Sequence, residues 1–266
     1  MTALSFERHC AEILAQSALL RSHVKGADAD APVPTCPEWT LGQLLRHLGG
    51  AHRWAETAVR TRAQEPVPDA EPNTVPRHTG EDLDPLGSWL EEGAALLAGA
   101  LRTAGPAAPV WSPVPEESAR YRCAGFWARR MAHETAVHRA DAALAVGAEF
   151  ALDAEVARDA VEEWLGFAGL PEAYEAAPGR PGLLGPGRTL HFHATGDRPA
   201  DWFVDLTGTS PSVRPAPADA AVTVRGTLTD LLLFLYRRPA PDVRVTGNAD
   251  LLALWLDRTG FWLQEE

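Results

Sequence analysis

The sequence predicts an α+β protein, an N-terminal helical bundle followed by a small α/β domain. Three observations predict it. Four long segments of the first half carry apolar residues at helical spacing. Connectors containing proline separate those segments. Past a Gly/Pro cluster at Pro178–Gly187 the texture changes to short β-rich runs with two helical segments between them. The 266 residues suit one large or two modest domains. The Gly/Pro cluster sets the expected seam, with residues 1–178 as the bundle and its following helix and 179–266 as the α/β domain.

The first helix is expected from Leu4 to about Val24, on Phe6, Ile13, Leu14 and Leu20. A connector follows over Ala31–Trp39 with three prolines. Thr40-Leu-Gly-Gln43 matches a capping box and opens the second helix, which carries Leu41, Leu44, Leu45, His47, Leu48 and Trp54. Gly49 and Gly50 weaken that helix unless something approaches its backbone closely there. Residues 65–80 read as a long loop, and Asp82–Leu101 as the third helix. A Pro-rich connector spans roughly 105–118, and the fourth helix runs over 124–147. These four helices make a bundle pattern. One more helix is expected over 153–168. Strands are expected at Thr189–Thr195, Asp201–Leu206, Ala221–Arg225 and Asp242–Thr246, with helices at Leu228–Arg237 and Ala249–Asp257. The aromatics Trp202, Phe203, Phe234, Tyr236, Trp255 and Trp262 read as the core of the second domain.

A net charge of −12 argues against nucleic acid as a partner, because phosphate binding needs clustered Lys and Arg. Lys25 is the only lysine. Abundant Ala, Gly, Pro and Arg fit a high-GC genome and an actinobacterial source. The opening Met1–Cys10 lacks a basic region followed by an apolar core, so no secretory leader is expected. No apolar run is long enough for a bilayer, so no membrane partner is expected. Cys10, Cys36 and Cys123 are far apart and give no disulfide framework, so a reducing cytoplasm is the expected compartment.

The chemistry concentrates in His133-Glu-Thr-Ala-Val-His138. Glu134 and His138 are four residues apart and stack on one helical face. With a third ligand from another helix, such as His47, they make a three-ligand divalent metal site with open coordination positions. Arg130 and Asp141 share the same broad face. Asp141 suits the second ring nitrogen of His138, or a base near the metal. The plainer alternative is a surface stripe of ion pairs, Arg130–Glu134 and His138–Asp141. For His47 it is a satisfied core histidine. His133 lies about 100° around the helix and is left out. His191 and His193 share one strand face and can pair as ligands, but read better as solvent-facing residues beside a buried Phe192. Cys36, between prolines, reads as structural rather than as a ligand or nucleophile. No GxSxG, Walker A, GxGxxG or CxxC motif occurs.

The run Pro34-Thr-Cys-Pro-Glu-Trp-Thr-Leu-Gly-Gln-Leu-Leu-Arg-His47-Leu-Gly, followed by His133-Glu134-x-x-x-His138-x-x-Asp141, resembles the mycothiol-dependent maleylpyruvate isomerase family. Asp219–Gly226, Leu231–Leu235 and Val245–Leu252 are similar to that family's C-terminal domain. The resemblance covers nearly the whole chain. It implies a DinB-like four-helix bundle and a sterol-carrier-like α/β domain. It places zinc ligands on His47, Glu134 and His138, and the acidic active-site residue on Asp141. It also implies a C-terminal arginine that holds a substrate carboxylate. Arg238, or its neighbour Arg237, is the candidate, although the family's usual Gly-Arg reads Arg-Arg here.

The expected activity is that of a metal- and thiol-dependent enzyme. A low-molecular-weight thiol, mycothiol by resemblance, would attack a small electrophile, with a carboxylate as the group the arginine holds. Cis–trans isomerisation and thiol S-transfer to other electrophiles share that start, and the ligands do not choose between them. A non-catalytic protein with a structural metal and an apolar ligand in the C-terminal domain is the rival. No other cofactor-binding residue is assigned, and the state is expected to be a monomer or homodimer.

Overall fold

The computed structural model describes residues 4–67, 78, 80–114, 119–176 and 181–260. Two compact units result, Met1–Phe150 and Ala151–Glu266. Trp262 and most of the loop expected over 65–80 lie outside the described residues.

The first unit holds α1 (Phe6–Val24), α2 (Leu41–Thr61), α3 (Leu83–Ala104) and α4 (Ala124–Val146). Each start has a local cause. Ser5 Oγ accepts from the Arg8 amide, and Asp82 accepts from Asp84. The expected capping box forms: Thr40 Oγ1 accepts from the Gln43 amide at 3.3 Å, and Gln43 Oε1 accepts from the Thr40 amide at 3.1 Å. Gly147 ends α4 in the left-handed region, φ 69°. Helices α1 and α2 each pack on both α3 and α4. Leu20, Leu41, Leu44, Leu45, Leu48 and Leu90 fill the core. Helix α4 differs from its neighbours. Its buried residues lie all around it, many are alanine, and His133, Thr135, His138 and Asp141 are among them. The connector Ala31–Thr40 closes on itself through Val33 N to Trp39 O (2.9 Å) and Leu41 N to Ala31 O (3.0 Å).

Gly49 has the close approach its sequence context called for. A Cβ there would overlap the Trp89 ring of α3, over which Arg53 stacks at 4.0 Å. Nothing lies within 4 Å of a Cβ at Gly50. Gly49→Ala is therefore expected to destabilise by about 1–2 kcal/mol, because overpacking exceeds the helix-propensity gain. Gly50→Ala is expected to be neutral or to stabilise by up to about 1 kcal/mol. Urea denaturation of the two variants reads the contrast.

The second unit runs α5 (Ala154–Phe167), α6 (Pro171–Tyr174), β1 (Thr189–Thr195), β2 (Ala200–Asp205), β3 (Ser212–Arg214), β4 (Val222–Thr227), α7 (Leu228–Leu235), β5 (Arg244–Gly247) and α8 (Ala249–Thr259). The sheet order is β3-β2-β1-β4-β5, with β1 and β4 parallel and the other pairs antiparallel. Leu190, Phe192, Ala194, Val222 and Val224 are fully buried on one face, as is Trp255 of α8, whose ring meets Phe192 at 5.1 Å. Trp202, Phe203 and Tyr236 are buried too, and Phe234 is half-buried. Helix α5, which the sequence groups with the bundle, belongs to this unit because it packs against α7. The described part of the Gly/Pro stretch, residues 181–187, falls within this unit, with Leu183 fully buried and Gly185 N bonded to Leu206 O at 2.9 Å. No helix among the described residues is long and apolar enough to cross a membrane.

Candidate metal centre

Helix α4 presents Arg130, Glu134, His138 and Asp141 in one row, as the spacing predicts. Arg130 Nη2 donates to Glu134 Oε2 at 2.7 Å. His138 Nε2 lies 3.0 Å from Glu134 Oε1, and its Nδ1 lies 2.9 Å from Asp141 Oδ2. From α2, His47 Nε2 reaches to 3.7 Å from the same Glu134 Oε1. The His47 and His138 rings meet edge-on, 4.9 Å between centroids at 80°. Both ion pairs of the surface-stripe alternative exist, but they are not on the surface. His138 is 1% exposed and Asp141 is fully buried.

The connector before α2 completes the surroundings. Thr35 Oγ1 donates to Asp141 Oδ1 at 2.7 Å, and the Cys36 thiol donates to Asp141 Oδ2 at 3.7 Å. Trp39 lies against His47, 4.7 Å between centroids, and 6.3 Å from His138. Cys36 thus contacts Asp141, the residue bonded to His138 Nδ1, and its Sγ belongs to a three-donor group with those two residues. Sequence reading assigned no role to Thr35 or Trp39. The available signal was the tight Pro34–Trp39 run, since prolines on both sides of Cys36 stop a helix there and leave a loop that folds back.

The electrostatics favour a charged site. Burial opposes ionisation of Glu134, yet the Arg130 guanidinium, the hydrogen bond from His138 and the nearby His47 ring hold its carboxyl well below the usual range. Burial likewise opposes the His138 imidazolium, while bonds to Asp141, Cys36 and Glu134 push its pKa well up. A site arranged to keep imidazole nitrogens and a carboxylate oxygen converging suits a cation. In a tetrahedral zinc site, ligands about 2.1 Å from the ion lie roughly 3.4 Å from one another. The 3.0 and 3.7 Å separations at Glu134 Oε1 bracket that value. Among the described residues, His47, Glu134 and His138 form one three-donor group, and Cys36 groups instead with His138 and Asp141. The residues present thus fit a divalent metal held by three protein ligands.

His52, one turn beyond His47, serves the fold. Its Nε2 lies 2.9 Å from Thr135 Oγ1, which itself donates to Met131 O at 2.6 Å, so His52 is the donor. Burial, with Arg53 nearby, pushes its pKa down to about 3. The folded pKa lies below the unfolded value of about 6.5, so stability is full above pH 6.5 and falls as the unfolded chain takes up the proton. From pH 7 to pH 5 the wild type is expected to lose about 2 kcal/mol more than His52→Gln. Parallel urea-derived stability profiles would contradict this.

The remaining predicted residues lie in the second unit. Arg238 is 8% exposed and its Nη1 donates to Tyr236 O at 2.8 Å. Arg237 stops α7 in the left-handed region, φ 60°, and donates to Leu256 O at 2.7 Å. That conformation is the one glycine adopts without strain. His191 and His193 are half-buried beside a fully buried Phe192, and both bond Asp201.

The model of the mycothiol maleylpyruvate isomerase N-terminal domain matches residues 10–143, and that of the MDMPI C-terminal domain matches residues 155–254. Among solved structures, the mycothiol-dependent maleylpyruvate isomerase superposes with a TM-score of 0.60, and a point mutant of it with 0.61. Each is 16% identical and covers 92% of this chain and 96% of the other. No curated protein sequence matches the chain. Two domain models in the same order, spanning most of its length, show that the chain belongs to the mycothiol maleylpyruvate isomerase family.

Proposed function

We propose that this protein is a metal- and thiol-dependent enzyme that uses mycothiol to attack a small electrophile, with cis–trans isomerisation of a maleylpyruvate-like substrate as the first reaction to test. The observation that carries this reading is the convergence of His47 and His138 on Glu134 Oε1, with no fourth donor in that group among the described residues. A structural zinc is closed by four protein ligands, whereas a catalytic one keeps a position open. Family membership supplies the thiol and the substrate class.

His47, Glu134 and His138 would hold the metal, zinc by its donor set. When bound, such an ion lowers the pKa of a coordinated thiol so that thiolate is available at neutral pH. The chain's residues prepare for it. Arg130 keeps Glu134 ionised. Asp141 accepts from His138 Nδ1–H, so Nε2, which donates to Glu134 in the metal-free site, is the nitrogen that would give up its proton to ligate the ion. Thr35 and Cys36 hold Asp141 in place. Trp39 packs beside the His47 ring, with His138 farther off. The thiol adds to a cis double bond conjugated to a carbonyl, the resulting single bond rotates, and elimination returns the thiol with the trans product. Arg238 is proposed as the substrate-carboxylate ligand, and Asp141 as the acidic residue that orients or shuttles a proton.

The test is turnover of maleylpyruvate and of chloronitrobenzene by metal-stripped and zinc-restored protein, with and without mycothiol. Turnover that needs both zinc and mycothiol is the expected result. Faster reaction of chloronitrobenzene would make the enzyme an S-transferase. Turnover of neither substrate under any loading would overturn the thiol-dependent reading.

A further inference from the structure

We propose that the second unit carries its own divalent-metal site, built from His191 and His193 of β1 and Asp201 of β2. Strand β1 buries Leu190, Phe192 and Ala194 on one face, so His191 and His193 project together from the other. In the β1–β2 register His193 pairs directly with Asp201, and His191 pairs with Phe203, two residues along the same face. Asp201 Oδ1 consequently lies 2.8 Å from His191 Nε2 and 2.8 Å from His193 Nδ1. All three donor atoms fall within 4.8 Å of one another.

Two imidazoles and one carboxylate aimed at a common point are the donor set that zinc, nickel, cobalt and copper(II) favour. Both rings donate N–H to one carboxylate oxygen, so two protons occupy the space an ion would fill. Binding would shift the proton of each neutral ring to its far nitrogen, leaving His191 protonated at Nδ1 and His193 at Nε2. The side chains are 12, 29 and 24% exposed for His191, His193 and Asp201. An ion can therefore enter from solvent, and three protein donors leave it room for water. Arg225 stands opposite His193 on β4, but it is exposed and its charge is screened by water. An ion bound here would cross-link β1 to β2. The inference uses none of the bundle residues and stands or falls independently of the proposed activity.

The experiment titrates zinc into tag-free, metal-stripped, full-length Glu134→Ala, in which the bundle site has lost its carboxylate. Calorimetry and elemental analysis after desalting give the stoichiometry. One zinc per chain is expected in Glu134→Ala, with loss of at least 10-fold in affinity on adding His193→Ala or Asp201→Asn. Melting by circular dichroism checks that each variant folds, and zinc should raise the melting temperature of Glu134→Ala but not of the double variants. Histidine side-chain NMR of Glu134→Ala gives a readout that needs no second substitution, with zinc-dependent shifts expected at His191 and His193. Failure of Glu134→Ala to bind zinc, binding unchanged by both second substitutions, or shifts confined to other histidines would each overturn the proposal. Equal zinc content in wild type and Glu134→Ala, lost on His193→Ala, would refute the bundle site while supporting this one.

Discussion

Glu134→Ala is expected to leave the bundle without its metal and to abolish thiol-dependent turnover. One carboxylate oxygen of Glu134 is the point on which His138 Nε2 and His47 Nε2 converge, at 3.0 and 3.7 Å. The other oxygen carries the bond from Arg130. Removing the side chain deletes a ligand and the one negative charge that those three groups share. Two imidazoles would then face a buried cation, Arg130, whose side chain is 11% exposed. Coulomb repulsion at that separation disfavours a second cation. Loss of a residue that merely orients a ligand typically costs 10–100-fold in metal affinity, so loss of a ligand should cost more than about 100-fold. Glu134→Gln keeps the volume and separates charge from packing. It should fold as wild type and still fail to hold zinc in the bundle. Retained zinc-dependent turnover in either variant would overturn the three-ligand assignment. His47→Ala discriminates roles: a collapse in melting temperature would mark a structural metal, and intact folding without turnover a catalytic one.

The bundle was legible because its signals are local. Capping residues and 3.6-residue periodicity mark α2 and α3, and Thr189–Thr195 alternates so cleanly that β1 has the expected bounds. The row Arg130–Glu134–His138–Asp141 follows from helix geometry alone, which is why it could be read without coordinates. What was not legible depends on contacts distant in sequence. Strand β3 is three exposed residues, with no alternation to mark it. Helix α5 joins the second unit through α7, some sixty residues on, and nothing in its own sequence announces that partner. Thr35 and Cys36 meet Asp141 across more than a hundred residues. Asp201 joins His191 and His193 only once the strand register is known, so the two histidines alone read as ordinary surface.

Arg258→Met is expected to cost about 3–4 kcal/mol and to lower the melting temperature by roughly 10 °C. The side chain is 1% exposed, the depth at which a cation is costly unless its donors are used. Nε donates to Ala173 O at 3.1 Å, Nη1 to Pro181 O at 3.3 Å, and Nη2 to Glu172 O at 3.3 Å and to Glu175 O. Three of these carbonyls belong to α6 or the residue that caps it, a four-residue helix too short to be stable alone. Helix C-terminal carbonyls lack intrahelical partners and carry partial negative charge, so a guanidinium among them is favourable. Methionine would fill much of the volume but would strand those acceptors away from water, and the cost of unsatisfied acceptors outweighs the relief of burying a charge. Arg258→Lys should recover only part of the loss, because an ammonium cannot reach several carbonyls with a planar fork. Hydrogen exchange should rise in α6 and α8 before it rises in the bundle. A melting temperature within about 2 °C of wild type for Arg258→Met would show that these bonds contribute little to the second unit.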